Sequence, residues 1–371
     1  MRILSALRPL GSPAVTRLAV IAALVIGHCS LFIPSAQAAE PSLPRVIVLG
    51  TGGTIQSKGA TRMVRHDYKA GKFEINELLA MIPEVNKIAR IESEQFSNIG
   101  SPSMTPELWK KLAEKINKMA YEQPDIAGFI LTHGTNTLEE TAFFLHLTIR
   151  TDKPVLVVGA QRPSTSISAD GLQNLYQAVQ AAIAPDSRNR GVMICMNQYL
   201  VSAREGTKTS SYKVEAFTAR DLGALGVVDP DGVHYYRKPF RRHTVMSEFD
   251  IEKITQFPRV DVVDSYAAAP RDMIDFLVGK GAKGIVLSGH GAGGSSPAQA
   301  EAMAAAVKKG VAVVNASRTG SGRVIASAAN LEAGIVPGDN LLPHKARILL
   351  MLALASGKSS EAELTRIFDQ Y

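Results

Sequence analysis

The feature that most constrains this chain is the stretch from Val46 to Ile55, with the sequence VIVLGTGGTI. It opens on a short, continuous apolar run, which is typical of a strand buried on both faces in a parallel sheet. The glycines that follow let the backbone turn sharply, because they carry no Cβ. Thr54 comes directly after the turn, at the carboxyl edge where open α/β sheets bind their ligands. We therefore predict that the Thr54 hydroxyl is a nucleophile.

The glycine-rich turn does not fit the familiar nucleotide-binding loops. A dinucleotide fingerprint needs a third glycine where this chain has Ile55, and a P-loop needs Gly-Lys-Ser/Thr where the order is Ser57-Lys58-Gly59. The sequence also contains neither a G-x-S-x-G elbow nor an H-E-x-x-H pair. We expect no phosphate-binding loop, no metal and no cofactor.

The rest of the chain alternates short apolar runs with segments of helical spacing. Apolar runs occur at 126–131, 155–158, 192–196, 260–263, 284–287 and 311–314. This alternation predicts an α/β fold with mostly parallel sheets covered on both faces. We predict a larger N-terminal α/β catalytic domain at 39–233, a charged linker at 234–256 and a smaller C-terminal α/β domain at 257–371.

Local signals predict several helix ends and one turn. Thr105-Pro106 supplies an N-cap and a proline at the first helical position, and Thr137-Leu138-Glu139-Glu140 has the form of a capping box. A further helix is predicted over 170–183, and another helical stretch from Pro343. Asp229-Pro230-Asp231-Gly232 predicts a hairpin turn.

The first 38 residues have the composition of a secretory signal peptide. Three arginines come before an apolar run from Leu18 to Ile33, and no acidic residue lies before or within that run. Ala36-Gln37-Ala38 then matches a cleavage site. The alternative is a membrane anchor, which the short apolar run disfavours. A lipoprotein anchor through Cys29 is disfavoured because His28 stands where a small residue is needed. We predict cleavage after Ala38 and a periplasmic or secreted protein that has no membrane contact afterwards.

The net charge and the cysteine content indicate which partners and covalent links to expect. Loss of the leader's three arginines lowers the formal net charge from +7 to +4, and no dense basic stripe with interleaved aromatic residues remains. Nucleic acid is therefore not an expected partner. The sharpest basic cluster, at 237–242, is interpreted as part of a solvated linker. Cys195 is the only cysteine left after cleavage; we predict that it is buried in a strand, and it has no partner for an internal disulfide.

Two further polar stretches could carry chemistry. Thr132-His133-Gly134-Thr135-Asn136-Thr137 follows a predicted strand and begins a helix, where free N–H groups suit a carboxylate; simple helix capping is the alternative. Lys208 lies in a hydroxyl-rich segment at 205–210. A lone lysine is usually a solvated charge, whereas a buried lysine loses its proton readily and could activate a threonine.

These motifs together resemble the bacterial type II (periplasmic) L-asparaginases, which include the glutaminase-asparaginases. The resemblance spans nearly the whole mature chain. Its motifs are Thr51–Ile55, Asn98–Ser101, Thr132–Thr135, Val158–Ser166, Ser168–Gly171 and Thr207–Thr209. It implies a two-domain fold and a threonine-nucleophile amidohydrolase that releases ammonia from the side-chain amide of a small molecule, L-asparagine and possibly L-glutamine. It also implies a homotetramer with sites at the dimer interface.

The resemblance assigns roles residue by residue. Thr54 corresponds to the nucleophile, and Tyr68 to a tyrosine that partners it from a flap, with simple packing as the alternative for Tyr68. Thr135 corresponds to a second catalytic threonine with Lys208 as its base. Substrate-binding positions are Gly53, Ser101, Pro102, Gly134, Asn136 and Ala160, with backbone N–H groups near the two threonines as the oxyanion hole.

Four departures from the family pattern fall where the substrate's amino-acid head group would bind. Asn136 replaces an aspartate that holds the α-ammonium group, and Ser327 lies near the position of a glutamate from the neighbouring subunit. The turn at 289–294 lacks the usual asparagine, and Pro102 replaces a glutamine. His290 is new in that turn, where solvent exposure is the simpler expectation. Two alternatives follow: an amidase for amides whose amine is substituted or absent, and a periplasmic binding protein without turnover.

Overall fold

The N-terminal part of the molecule is a sheet covered by helices. The computed structural model describes residues 42–371, so the predicted signal peptide and its cleavage site lie outside the described residues. The strands are β1 (Arg45–Gly52), β2 (Arg90–Ile99), β3 (Ile126–Thr132), β4 (Val155–Val158), β5 (Val192–Met196), β6 (Tyr199–Ser202), β7 (Thr207–Lys208), β8 (Phe217–Thr218), β9 (Gly226–Asp229) and β10 (Gly232–Tyr235). The helices are α1 (Ile75–Ala80), α2 (Pro106–Glu122), α3 (Leu138–Thr148) and α4 (Gly171–Ile183).

Strand order decides where the loops of this sheet meet. Eight strands are arranged as β10-β9-β6-β5-β4-β3-β1-β2, while β7 and β8 form a separate antiparallel pair. Strands β5, β4, β3, β1 and β2 are parallel neighbours, and β6, β9 and β10 extend the sheet in antiparallel fashion. Because β1 lies between β3 and β2, the loops that leave the carboxyl ends of these three strands emerge side by side.

The C-terminal part is a smaller parallel sheet in the order β11-β12-β13-β14. Its elements are β11 (Val260–Asp264), α5 (Asp272–Gly279), β12 (Gly284–Gly289), α6 (Pro297–Lys308), β13 (Ala312–Ser317), α7 (Ala328–Glu332), β14 (Val336–Pro337), α8 (Pro343–Ala355) and α9 (Glu361–Gln370). The predicted α/β class with two sheets is confirmed. The helical stretch predicted from Pro343 is divided into two helices.

Helix α8 joins the two parts. It is almost wholly buried, and it packs against α3 on one side and against β12 on the other. The largest hydrophobic cluster accordingly contains side chains from both sheets, among them Ile47 and Val157 from the first and Val286 and Val314 from the second. Residues near the start of α8 are therefore held close to the start of α3.

Several local predictions are confirmed. Helix α2 begins after Thr105, whose hydroxyl accepts a hydrogen bond from the Leu108 N–H at 3.3 Å. Strands β9 and β10 form the predicted hairpin across the turn at 229–232. Cys195 is fully buried in β5.

The capping box predicted at the start of α3 is wrong. The Thr137 side chain makes no capping hydrogen bond to its own helix. Its hydroxyl instead donates to the Ser101 carbonyl at 2.7 Å, which ties the start of α3 to the loop after β2. A tertiary contact has replaced the local one.

The segment predicted as a charged linker is partly packed: Tyr236 and Phe240 are 78% and 94% exposed, whereas residues further along it are buried. Phe249 and Ile251 are fully buried, and the Ile251 carbonyl accepts a hydrogen bond from Lys110 at 2.8 Å. Within the basic cluster at 237–242, Arg241 forms an ion pair with Asp339 at 2.8 Å. Apolar side chains between the charges therefore anchor this segment to the body of the protein.

None of the helices within residues 42–371 is long and apolar enough to cross a membrane.

Candidate active site

A cavity with a volume of about 760 Å³ opens at the carboxyl edge of the first sheet. It is lined by the loops that follow β1, β2 and β3, by the segment 65–70 and by the segment that follows β7. Nine of the ten predicted site residues line it: Gly53, Thr54, Tyr68, Ser101, Pro102, Gly134, Thr135, Asn136 and Lys208. The structure thus brings together residues that are more than 150 positions apart in the sequence.

Two glycines allow the loops after β1 and β3 to touch. Gly53 has a φ of 82°, which L-residues with a side chain rarely adopt, and a Cβ at this position would lie 2.3 Å from the Gly134 backbone. A Cβ on Gly134 would in turn lie 2.9 Å from the Ser101 side chain. Each glycine is therefore required by close packing, and their contact holds Thr54 and Thr135 on neighbouring walls of the cavity.

The nucleophile predicted from the sequence has a hydroxyl partner. Thr54 Oγ1 lies 2.9 Å from the Tyr68 hydroxyl, and either atom can donate the hydrogen bond. The segment that carries Tyr68 is anchored at its end, because the Lys72 and Phe73 N–H groups donate to the Gln56 carbonyl at 2.6 and 2.9 Å. Tyr68 therefore contacts Thr54 directly rather than packing elsewhere.

The second pair joins an amine to a hydroxyl. Lys208 Nζ donates a hydrogen bond to Thr135 Oγ1 at 2.8 Å and lies 3.5 Å from Asn136 Oδ1. Thr135 is 5% exposed. Burial lowers the pKa of the Lys208 amine, and the negative charge of Glu139 opposes that effect. The amine is consequently closer to its neutral, basic form than a solvated lysine would be.

A buried network holds the backbone between β3 and Thr135. The Gly134 carbonyl can only accept, so His133 Nδ1 carries the proton and donates to it at 2.8 Å. Nε2 of the neutral ring is then the acceptor for the Thr141 hydroxyl at 2.9 Å, and Thr141 Oγ1 itself accepts from Trp109 Nε1 at 2.7 Å. Burial lowers the pKa of His133 to about 4, so the ring is neutral at physiological pH.

Ala160 is the predicted site residue that does not line the cavity. Its side chain is fully buried and lies beside Gly171, at the start of α4. The next residue, Gln161, lines the cavity instead. The Gln161 backbone N–H is fixed by the Asp170 carboxylate, and its side-chain Nε2 has no acceptor among residues 42–371.

Sequence reasoning missed Glu139 as a cavity residue. Its position suggested helix capping, whereas its carboxylate is buried, lines the cavity and accepts a hydrogen bond from the Lys208 N–H at 3.1 Å. No local signal could have identified this, because the partner lies 69 positions away. The flap residues Arg65, His66 and Asp67 also line the cavity without having been predicted.

Ser327 and His290, which the family pattern drew attention to, are not among the residues that line the cavity. Ser327 caps α7, accepting a hydrogen bond from the Asn330 N–H at 3.2 Å. His290 is half-buried, because its ring packs over Gly294 and its backbone pairs with the same residue. Within the described range, no three His, Cys, Asp or Glu side chains are gathered in a metal-binding cluster.

The chain matches two family models and several known proteins. The family model "Asparaginase, N-terminal" matches residues 45–241, and "Glutaminase/Asparaginase C-terminal domain" matches residues 259–368. L-asparaginase 2 of Escherichia coli is 40% identical over 353 residues, which cover 95% of this chain and 98% of that protein. The glutaminase-asparaginase of Pseudomonas fluorescens is 38% identical over 348 residues, covering 92% and 95% of the two chains.

Two further relatives differ in the compartment given in their names. A probable periplasmic L-asparaginase of Haemophilus influenzae is 41% identical over 335 residues, covering 89% of this chain and 94% of that protein. The crystal structure of a probable cytoplasmic L-asparaginase from Campylobacter jejuni is 41% identical and superposes with a TM-score of 0.86, covering 88% of this chain and 99% of that one.

Proposed function

The chain belongs to the asparaginase family, and from this premise we propose that it hydrolyses the side-chain amide of L-asparagine, and also that of L-glutamine, releasing ammonia. The observation that carries the proposal is the shared cavity, in which Thr54 pairs with Tyr68 and Thr135 pairs with Lys208. Nucleophilic catalysis needs a hydroxyl in contact with a group that can move its proton, and the cavity holds two such pairs.

In the first step, Thr54 Oγ1 forms a bond with the carbonyl carbon of the side-chain amide. The C–N bond then breaks, and the hydroxyl proton, relayed through Tyr68, leaves with the amide nitrogen as ammonia. In the second step, the oxygen of a water molecule bonds to the ester carbon, and the bond from that carbon to Thr54 Oγ1 breaks. One proton of the water passes through Thr135 to the neutral Lys208 amine, which lies 2.8 Å from the Thr135 hydroxyl, and the other ends on Thr54 Oγ1. The product is a carboxylate, and Lys208 then releases its proton to solvent.

Backbone donors are available for the developing oxyanion. Among the described residues, the N–H groups of Thr54 and Thr135 donate to no protein acceptor. Both residues line the cavity, and the contact of Gly53 with Gly134 holds their loops in place. Preorganised donors of this kind contribute about 3 kcal/mol each in comparable enzymes.

The two alternative functions have less support. The relatives described above are named asparaginases or glutaminase-asparaginases, which favours neither an amine-lacking amide substrate nor a binding protein without turnover. The Asn136 amide also keeps a contact with Lys208, so the change from the family's aspartate leaves the catalytic pair in place.

The test is ammonia release by the purified protein from L-asparagine, L-glutamine and succinamic acid. We expect turnover of the first two, loss of at least 10³-fold in the Thr54→Ala variant, and no change in Thr61→Ala. Thr61 is a matched control, because it is exposed in the same segment and does not line the cavity. Binding of L-asparagine without ammonia release would contradict the proposal.

We also propose export with cleavage after Ala38, and assembly into a homotetramer whose sites lie at a dimer interface. The support is the composition of residues 1–38 and the periplasmic relative. N-terminal sequencing of protein from a periplasmic extract should begin at Ala39, and light scattering should give about four chains per particle. An intact N-terminus or a stable monomer with full activity would contradict these proposals.

A further inference from the structure

A buried carboxylate lies behind the proposed base. Glu139, in the first turn of α3, is 6% exposed, and its Oε1 accepts the hydrogen bond from the Lys208 backbone N–H at 3.1 Å. The side chain of Lys208 runs in the other direction, to Thr135 Oγ1. The carboxylate therefore holds the backbone from which the amine reaches the hydroxyl.

The other oxygen of Glu139 faces helix α8. Oε2 lies 3.1 Å from His344 Nε2 and 3.8 Å from Lys345 Nζ. Lys345 is 1% exposed, and its ammonium group donates to the carbonyls of Ala203 and Arg204 at 2.9 and 3.0 Å. A cation anchored in this way cannot turn away, so it stays beside the carboxylate.

These contacts keep Glu139 ionised inside the protein. Burial by itself would raise its pKa, but the contact with His344 and the positive charge of Lys345 outweigh burial and lower the pKa to about 2. Burial lowers the pKa of the Lys208 amine, and the negative charge of Glu139 opposes that effect. The Thr207 hydroxyl and the neighbouring Glu140 complete the polar groups around Glu139.

We infer that Glu139 is a positioning residue for the proposed reaction: it fixes Lys208 against Thr135, and its charge, balanced by His344 and Lys345, sets the pH range in which the Lys208 amine is neutral. The inference rests on the proposed role of Lys208 as a base. It makes the C-terminal part of the chain a contributor to catalysis from within the same subunit, because α8 supplies both balancing groups.

The experiment measures kcat/KM for L-asparagine against pH in the full mature enzyme. Glu139→Gln keeps an acceptor for the Lys208 N–H but removes the charge, so the acid limb should move to lower pH by about half a unit. His344→Gln removes the ring that lies 3.1 Å from Glu139 Oε2 and lowers the pKa of that carboxylate, so it should move the limb in the opposite direction. Taking the ratio of variant to wild type at each pH cancels ionisation of the substrate.

Two more variants separate positioning from folding. Glu107→Gln, at an exposed position in the first turn of α2, is the matched control and should leave the acid limb in place. If Glu139→Gln is unstable because Lys345 loses its counter-charge, the double variant with Lys345→Met removes the stranded cation and should restore the fold. Its acid limb should again lie below that of the wild type.

The outcomes are distinct. Active wild type with an acid limb that moves in neither His344→Gln nor the folded Glu139 variants would overturn the inference and leave Glu139 a structural residue. Wild type that releases no ammonia at any pH would instead overturn the proposed function. Movement of the limb in opposite directions in the two kinds of variant is the result expected.

Discussion

The amine of Lys208 donates a hydrogen bond to the hydroxyl of Thr135 at 2.8 Å, across 73 positions of sequence. Lys208 comes from a two-residue strand outside the main sheet, whereas Thr135 follows a central strand of that sheet. The pair connects a group that can accept a proton to the wall of the cavity that also holds Thr54.

Replacement of Lys208 by methionine should abolish most of the activity while leaving the fold intact. The variant keeps the aliphatic volume but loses the only amine in contact with Thr135 among the described residues. We expect kcat to fall about 10²- to 10⁴-fold, the range of a lost general base. Lys213→Met is the control, because Lys213 is exposed and does not line the cavity. Near-normal turnover in Lys208→Met would exclude it as the base.

Tyr68→Phe should lower kcat far more than it changes KM. The substitution removes only the hydroxyl that lies 2.9 Å from Thr54 Oγ1, and the loss of one proton-transfer partner corresponds to about 10²-fold. Tyr212 also lines the cavity and is 74% exposed, so Tyr212→Phe should show at most a small effect. Steady-state kinetics on both variants would decide the matter, and equal effects would contradict a role in chemistry.

Gly53→Ala should destabilise the protein by about 3 kcal/mol or more. The new methyl group would lie 2.3 Å from the Gly134 backbone at a φ of 82°, so the two loops must separate. Gly279→Ala is the control, because nothing lies within 4 Å of its Cβ position. Chemical denaturation measures both free energies of unfolding. A Gly53 variant as stable as the control would show that the loops do not need to touch.

The buried His133 should make the protein less stable in mild acid. Its folded pKa is about 4, below the ordinary value of 6.5, so the unfolded chain binds the proton first. The free energy of unfolding should therefore fall as pH decreases from about 6.5 to 4, by roughly 3 kcal/mol from this residue. His133→Asn should flatten part of this slope. Identical slopes in the wild type and in this variant would refute the assignment.

Asn136→Asp should favour substrates that carry a free α-ammonium group. Asn136 lines the cavity, and a carboxylate there adds charge pairing that an amide does not provide. We expect the ratio of kcat/KM for L-asparagine to that for succinamic acid to rise about tenfold, equivalent to about 1.4 kcal/mol. Asn76→Asp, at an exposed position outside the cavity, is the matched control. An unchanged ratio would show that position 136 does not contact the head group.

Local sequence signals predicted the elements near the site well. The apolar run before Thr54 forms β1, and the Thr105-Pro106 signal marks the start of α2. Such patterns depend on interactions within one turn or one strand, so they survive folding. The capping box predicted at Thr137 was wrong because the partner is distant in sequence: the Thr137 hydroxyl donates to the Ser101 carbonyl, 36 positions away.

The sequence by itself determined the α/β class, the position of Thr54 after a glycine turn, and nine of the residues that line the cavity, out of ten predicted for the site. Only the tertiary structure decided that Gln161 rather than Ala160 lines the cavity, and that Glu139 lies behind Lys208. The physical reason is range: periodicity and backbone sterics act between near neighbours, whereas burial and charge around a side chain depend on segments that meet only when α3, β7 and α8 have packed together.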